Sequence, residues 1–389
     1  MKNILITFTN AIDPTTGGVE RVYHNLVPYF REHGYNVFAT YQRKTDYDKN
    51  SVYTKAIFME YSIDNVGYFD KLDKVMMEMA VDIVICPFPS YQLFNYCSRL
   101  IDKKVFFHVH NVPSKLMYPS SAKLPNILKE SFVDRCLKRI RFDLRYLASF
   151  RRIELNKMKI VLLSDFFRDD LKSFYDFNPK CICALPNPFC IDEEYQLDYQ
   201  KKEKMILYVG RINTRQKRFQ SLLNIWKRLQ NELLDYRLEI VGGGPEKELY
   251  ENLAHEMRLK RITFHDFQNP TEYYKKAVCS CMTSNYEGFS MVLIEAMQYG
   301  CVPFVFNSFA SLPDIIDDKV NGYVITPFDE GEYVQKIKEF ILLSKKNKEI
   351  ISVKAMEKSR EFDVRRVGQR WIEPVSYTHL RAHETRHDL

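Results

Sequence analysis

Two carboxylates flank a glycine turn in the run Asn285-Tyr286-Glu287-Gly288-Phe289-Ser290-Met291-Val292-Leu293-Ile294-Glu295-Ala296-Met297-Gln298-Tyr299-Gly300. Ser290 suits an N-cap, because its hydroxyl can accept from a first-turn amide. A hydrophobic helix is expected from about Met291 to Tyr299, stopped by Gly300. Its first amides, near Ser290 to Leu293, lack partners within the helix and form a site for an anion. Glu287 precedes that pocket. Glu295 lies just inside it on an otherwise apolar helix, where a charge is costly without a partner. A carboxylate beside a phosphate-binding helix start commonly accepts from ribose hydroxyls. The chemistry on offer is capture of a nucleotide diphosphate with something polar attached. The plainer alternative is an acidic first turn that serves only the helix dipole.

Other residues supply complementary groups. Val209-Gly210-Arg211 ends an apolar run, and Lys217 follows near the start of a helical pattern that continues through Trp226. Two cations at the carboxyl edge of a parallel strand can grip a diphosphate, Arg as a fork and Lys as a point charge; the alternative is a pair of exposed surface cations. Gly242-Gly243-Gly244-Pro245 follows the next strand, with glycines for a tight turn and Pro245 suited to a first helical position. Gly17-Gly18-Val19-Glu20-Arg21 opens a long amphipathic helix, as a second anion cradle or a simple loop-to-helix turn. Neither glycine group has the dinucleotide spacing, which disfavours an oxidoreductase. His108 and His110 close a strand on one face, where a side chain commonly points into a cleft or serves the core. Asp46 and Asp48 sit in a polar loop and read as solvated surface.

These groups need a scaffold, and the sequence describes one. Strands are expected at Ile4–Thr9, Asn36–Thr40, Asp82–Cys86, Lys104–His110, Lys159–Leu163 and Cys181–Leu185, then again at Met205–Val209, Arg237–Val241, Ile262–His265, Val278–Met282, Cys301–Phe306 and Tyr323–Ile325. Helical patterns lie between most of them, which implies parallel sheets with crossover helices. The pattern restarts after Pro186-Asn187-Pro188, so the fold class is α/β with two doubly wound domains and a cleft between them. Composition agrees with a globular chain of this length, and a net charge of +7 fits an anionic ligand without demanding nucleic acid. Nine cysteines, with Cys181/Cys183 and Cys279/Cys281 one residue apart in apolar runs, read as reduced core thiols rather than a metal site. A cytoplasmic location follows from that usage and from the lack of a signal-like or membrane-spanning run.

Taken in order, these motifs resemble the large retaining glycosyltransferase family 4 of the two-Rossmann-domain, or GT-B, type. The resemblance spans roughly residues 1–373. It rests on Gly17-Gly18-x-Glu20, Phe107 to Asn111, Leu163-Ser164-Asp165-Phe166, Pro186-Asn187-Pro188, Val209-Gly210-Arg211 with Lys217, Gly242 to Pro245, and Glu287-Gly288-Phe289-Ser290 with Glu295 in an E-x7-E spacing. It implies a GT-B fold. An acceptor-side Rossmann-like domain would occupy 1–190, a nucleotide-sugar domain 191–360, and a last helix, 361–373 with Trp371, would pack back on the first domain. It also implies roles. Glu295 binds donor ribose, and Glu287 contacts donor-sugar hydroxyls. Amides of Gly288, Phe289, Ser290, Met291 and Val292 hold sugar and phosphate. Arg211 and Lys217 neutralise the leaving diphosphate, Gly17 and Gly18 approach it, and His110, with His108 second, lies near the reacting centre. The implied donor is a nucleotide-diphosphate sugar, UDP-sugar before GDP-sugar, with no metal required.

The resulting expectation is a retaining hexosyltransferase acting on a glycan or lipid-linked acceptor in bacterial surface polysaccharide or lipopolysaccharide synthesis. Alternatives are a phosphorylase, a sugar-nucleotide epimerase, or a catalytically silent sugar-nucleotide-binding protein. Arg218 after the lysine and Asp266 after the strand Ile262–His265 stand where the family often has Gly, and Ser290 replaces another frequent Gly. Residues 129–159 carry Arg135, Lys138, Arg139, Arg141, Arg145, Arg151, Arg152 and Lys157 interleaved with Phe132, Phe142, Tyr146 and Phe150. They read as a solvated helical face or as a surface for an anionic membrane, which would make the protein peripheral on the inner face of the plasma membrane. Residues 375–389 shift abruptly to His and Arg, with His379, His383 and His387 at helical spacing, and read as a non-native tail.

Overall fold

The computed structural model describes residues 1–47, 51–87, 90–113, 146–173 and 175–376. The chain divides into two compact units, one of Met1–Pro188 with the segment that begins at Val364, the other of Phe189–Asp363. Both follow from the alternation of short apolar runs with amphipathic helices.

The first unit holds a seven-stranded parallel sheet in the order β3-β2-β1-β4-β5-β6-β7. Its strands are β1 Lys2–Thr7, β2 Tyr35–Tyr41, β3 Lys55–Phe58, β4 Ile83–Cys86, β5 Lys104–Val109, β6 Lys159–Leu162 and β7 Ile182–Ala184. Helices α1 Gly18–Glu32, α2 Val66–Glu78 and α3 Tyr91–Cys97 follow in turn, and α4 covers residues 146–155. β1 runs parallel to β2 from Lys2↔Tyr35 to Thr7↔Thr40 and to β4 on its other side. β3 escapes the sequence pattern. Its four residues, Lys-Ala-Ile-Phe, form a short edge strand with none of them buried.

The second unit holds a six-stranded parallel sheet, β10-β9-β8-β11-β12-β13. The strands are β8 Glu203–Val209, β9 Arg237–Val241, β10 Ile262–His265, β11 Ala277–Met282, β12 Val302–Phe306 and β13 Tyr323–Ile325. Its helices are α5 Phe219–Leu229, α6 Lys247–Glu256, α7 Thr271–Lys276, α8 Met291–Gln298, α9 Glu330–Leu342 and α10 Lys345–Ser359. Trp226, Phe304 and Tyr333 are buried on one side of this sheet, among the apolar faces of α5 and α9. Met205, Leu207, Tyr274 and Ala296 form a smaller cluster with α7 and α8.

Helix α11, Val364–Ser376, belongs to the first unit. Trp371 is fully buried, with ring centroids 6.3 Å from Phe30, 6.1 Å from Phe106 and 5.1 Å from His108. Three expected boundaries shift. The units divide at Pro188/Phe189, because the Phe189 amide bonds the Phe362 carbonyl at 2.8 Å within the second unit. The returning helix begins at Val364, after a tight turn over Arg360–Phe362. Val375 and Ser376, expected in the tail, complete that helix; Val375 is fully buried and its carbonyl accepts from Lys104 Nζ at 3.2 Å. The three tail histidines and Asp48 lie outside the described residues.

The basic segment also resolves differently from its pattern. Lys129 to Arg145 lies outside the described residues. Within α4, Arg152 turns inward, giving its guanidinium to Ser98 Oγ at 3.0 Å, Asn95 Oδ1 at 2.8 Å and Ser149 Oγ at 3.1 Å. It is a structural cation, because the helical spacing that puts Phe150 and Ile153 in the core carries Arg152 to their side. Arg151 is exposed beside Leu147 and Leu155. Cys279, Cys281 and Cys301 are buried free thiols as expected, whereas Cys190 is exposed.

Candidate active site

Two groups singled out in the second half of the sequence, Lys217 and Glu287, meet at the carboxyl edge of the second sheet. β8 ends at Val209, and the chain turns through Gly210 with φ of +148°. β9 ends beside it and turns through Gly242 at +151° and Gly244 at +152°. A Cβ on Gly242 would stand 2.0 Å from the Gly210 carbonyl oxygen, and one on Gly244 would stand 2.5 Å from that of Ile212. The glycines therefore let two backbone turns pass in contact. The Ile212 amide donates to the Gly243 carbonyl at 2.8 Å across that contact.

Past this crossing the chain forms a compact turn. Asn213 Oδ1 accepts from the amides of Gln216 at 2.9 Å and Lys217 at 3.0 Å, the local bonding that Asn offers in turns. The turn is tied to the loop after β11. Asn285 donates its amide to the Gln216 carbonyl at 2.7 Å and its side chain to that of Arg215 at 2.8 Å. Thr283 Oγ1 donates to the Lys217 carbonyl at 3.0 Å.

This stitching brings Lys217 to Glu287. Their ion pair measures 2.7 Å, with side chains 12% and 9% exposed. Ser284 Oγ donates to the same carboxylate oxygen at 2.6 Å, and Gln216 Nε2 to the other at 3.3 Å. The Glu287 charge together with burial drives the Tyr208 phenol above its usual range, burial being the larger cause. Ser308 and Ser311 brace the loop from the far side, donating to the carbonyls of Ser284 at 2.6 Å and Gly288 at 2.7 Å.

Helix α8 starts after this loop and ends at Gly300, whose φ of +64° is the left-handed stop expected there. Ser290 does not cap it. Its hydroxyl points to Met282 Sδ at 3.5 Å and makes no side-chain bond to the first turn, because the residue is buried against β11. Phe289 is buried 5.4 Å from Phe362, and Met291 and Val292 are half-buried in the first turn. Glu295, 7% exposed, accepts from Tyr274 Oη at 3.2 Å. Lys202 Nζ bonds the carbonyls of Tyr274 and Tyr299 at 2.9 and 2.8 Å, fixing the carboxyl end of α7 and α8 together. Arg211 is exposed and makes no ion pair among the described residues, although its carbonyl accepts from Tyr208 Oη at 2.9 Å. Ser284, Gln216 and Tyr274 bond the two candidate carboxylates, and the sequence does not announce them. A serine three residues before Glu287 and the Asn213 turn are the only local signals.

The remaining candidates belong to the first unit. His108 is fully buried and its Nδ1 lies 2.8 Å from Tyr23 Oη, so it is a core histidine. Its ring centroid is 3.7 Å from that of His110. Burial carries both rings below the usual imidazole range, His110 down to about 3 with Asn187 opposing the shift. Both are neutral near pH 7, so any role is that of a hydrogen-bonding imidazole. Gly17 and Gly18 open α1, but the Glu20 carboxylate folds back there; a Cβ on Gly17 would stand 2.3 Å from Glu20 Oε2. The expected anion cradle at α1 is thus covered by a carboxylate, held there as an acid on a helix amino end. Burial raises the Glu20 pKa, and Asp13 adds to that shift.

Comparison with known proteins places this geometry. Residues 192–355 match the family model described as Glycosyl transferases group 1. That match spans most of the second unit, which is therefore similar to the glycosyltransferases of that group. The amylovoran biosynthesis glycosyltransferase AmsD of Erwinia amylovora is 28% identical over 220 residues, 55% of this chain and 60% of AmsD. The chain spans little more than half the length of such relatives. The solved lipopolysaccharide outer core galactosyltransferase WaaB, apo form, superposes with a TM-score of 0.69 at 17% identity, covering 96% of this chain and 99% of that one. Anabaena Alr3699/HepE in complex with UDP superposes at 0.74 and 14% identity, covering 97% and 100%. The fold is GT-B, two Rossmann-like α/β domains. Among the described residues, no helix is long and apolar enough to cross a membrane, and no three side chains cluster as metal ligands.

Proposed function

We propose that this protein is a retaining hexosyltransferase that moves a sugar from a nucleotide diphosphate, UDP before GDP, to a glycan or lipid-linked acceptor in surface polysaccharide or lipopolysaccharide synthesis. The observation that carries this reading is the buried Lys217–Glu287 pair at the amino end of α8, inside the stretch that matches the group 1 glycosyltransferases. The named activities of AmsD and WaaB, and the UDP bound by HepE, support the choice of pathway class and base.

In this reading the bond between the sugar C1 and the diphosphate oxygen breaks, leaving oxocarbenium character on carbon and negative charge on the diphosphate. Lys217, Arg211 and the first amides of α8, Gly288 to Val292, stabilise that charge, as fixed cations and dipoles do when preorganised. The new bond from the acceptor hydroxyl to C1 forms on the face the diphosphate leaves, and the hydroxyl proton passes to the departing phosphate oxygen. Glu287, held by Lys217 and Ser284, contacts donor-sugar hydroxyls. Glu295, oriented by Tyr274, accepts from the ribose. His110 is the first unit's candidate donor contact; the Gly17-Gly18 turn would serve the diphosphate only with the Glu20 carboxylate turned aside. The exposed Arg151, Leu147 and Leu155 of α4 are its candidate contacts to an anionic membrane.

A thermal-shift panel of UDP-, GDP- and ADP-sugars tests the donor site. One class should raise the melting temperature, and Glu295→Ala should abolish that shift. Normal donor binding by the variant would overturn the assignment of Glu295.

A further inference from the structure

Two residues beside the candidate site adopt a backbone that side chains disfavour. Arg218 has φ of +46° and Phe328 has φ of +66°, both in the left-handed region where glycine is at ease. They lie 110 residues apart in sequence, one entering α5 after Lys217, the other before α9 after β13. Their side chains nevertheless meet. The Arg218 guanidinium carbon sits 4.6 Å from the centroid of the Phe328 ring. Arg218 Nε also donates to Ser221 Oγ at 2.9 Å, and the Phe328 ring packs 5.9 Å from Phe306 of β12. The stack therefore spans the amino ends of α5 and α9, which are tied again one turn deeper by Asn224 Nδ2 to Glu330 Oε1 at 3.1 Å.

Persistent strain at a site implies that its surroundings hold it. Here each strained residue is the other's support. The carbonyls of both Lys217 and Arg218 accept from Thr283, at 3.0 and 3.4 Å, so the backbone bent at Arg218 is the one that delivers Lys217 to Glu287. We propose that Arg218 and Phe328 act together as positioning residues for Lys217, a cation–aromatic clasp that stands in for two glycines and fixes the direction of the Lys217 ammonium. Positioning is measurable without substrate; its catalytic consequence rests on the reading of Lys217 as a diphosphate contact.

The test is the rate at which Lys217 is acylated by an N-hydroxysuccinimide acetate, followed by peptide mass spectrometry. It compares wild type, Arg218→Gly, Phe328→Gly, the double variant and Arg218→Lys. Glycine relieves the backbone strain, so Arg218→Gly should melt no lower than wild type. Lys217 should nevertheless acylate roughly two- to fivefold faster in either glycine variant, the factor that a partly exposed cation–π contact represents. The double variant should add nothing to the single ones, and Arg218→Lys should stay close to wild type. Unchanged Lys217 acylation in folded glycine variants would overturn the proposal, leaving the stack a purely structural contact. If a glycine variant does not fold, Arg218→Asn and Phe328→Asn give the same comparison, since Asn tolerates the left-handed backbone. In the donor panel, Arg218→Gly should weaken the shift by a similar factor. A wild type that responds to no nucleotide sugar would sink the transferase reading and leave the acylation result intact.

Discussion

At the residue scale, the candidate site centres on one ion pair, Lys217 with Glu287, kept largely out of water. Glu287 is nearly buried, and removing its partner would leave an uncompensated carboxylate, a larger penalty than losing an exposed salt bridge. That logic marks Glu295 in the sequence, since an acid on an apolar helix has to be answered by something, whereas Glu287 is marked by its place just before the helix start. What answers it was not legible. Lys217 stands out only as a cation near a glycine turn, and Tyr274 and Ser284 are ordinary residues until the fold brings them within bonding range. Histidine shows the same limit. His108 and His110 share a strand face, yet burial and Tyr23 separate a core ring from a candidate contact only in three dimensions. Their low pKa values carry a pH consequence. The folded rings stay neutral while the unfolded chain's histidines take up protons as pH falls through the ordinary 6.5. This contribution to stability is therefore complete above about pH 6.5 and is lost as pH falls from there toward about 3. The His110 ring alone costs ~1.4 kcal/mol per pH unit across that window, and His108 shifts in the same direction. Urea unfolding at several pH values should show the loss, and His110→Asn should flatten it by about one ring's share; an unchanged slope would refute the neutral assignment.

At the element scale, apolar runs marked twelve of the thirteen strands, because parallel strands covered on both faces must be nearly continuous in hydrophobic residues. β3 failed the same test for the opposite reason, being a short exposed edge. The cap of α8 failed too: Ser290 has the right chemistry, but burial against Met282 turns its hydroxyl away. Glycine clusters were legible as turns, but not the reason for each glycine. Gly242 and Gly243 differ sharply despite being neighbours. Gly242 combines a φ of +151° with a would-be Cβ 2.0 Å from backbone oxygen, while a Cβ on Gly243 meets nothing within 4 Å. Gly242→Ala should cost at least ~2 kcal/mol, the scale of a strained backbone residue. Gly243→Ala should stay within ~0.5 kcal/mol of wild type. Chemical denaturation of the two variants side by side checks this, and equal losses would contradict the crossing of the β8 and β9 turns.

At the scale of the whole molecule, the two-unit α/β plan was readable from the restart of the strand pattern after Pro188, whereas the return of the chain at Trp371 was expected only through the family resemblance. The exact joins were not, because they depend on single contacts such as Phe189 to Phe362 and Lys104 to Val375. That return makes the first unit discontinuous: its core includes Val367, Trp371 and Val375, made after all of the second unit. On the ribosome, a chain emerging from its amino end would hold an incomplete first core through the synthesis of 175 further residues, Phe189 to Asp363. The second unit, contiguous in sequence, is free to fold as soon as it clears the exit tunnel. The order of folding should then reverse the order of translation. Proteolysis of stalled nascent chains should show protease resistance in Phe189–Asp363 before the earlier residues 1–188 gain it, and release of a chain cut short of Trp371 should leave those earlier residues susceptible.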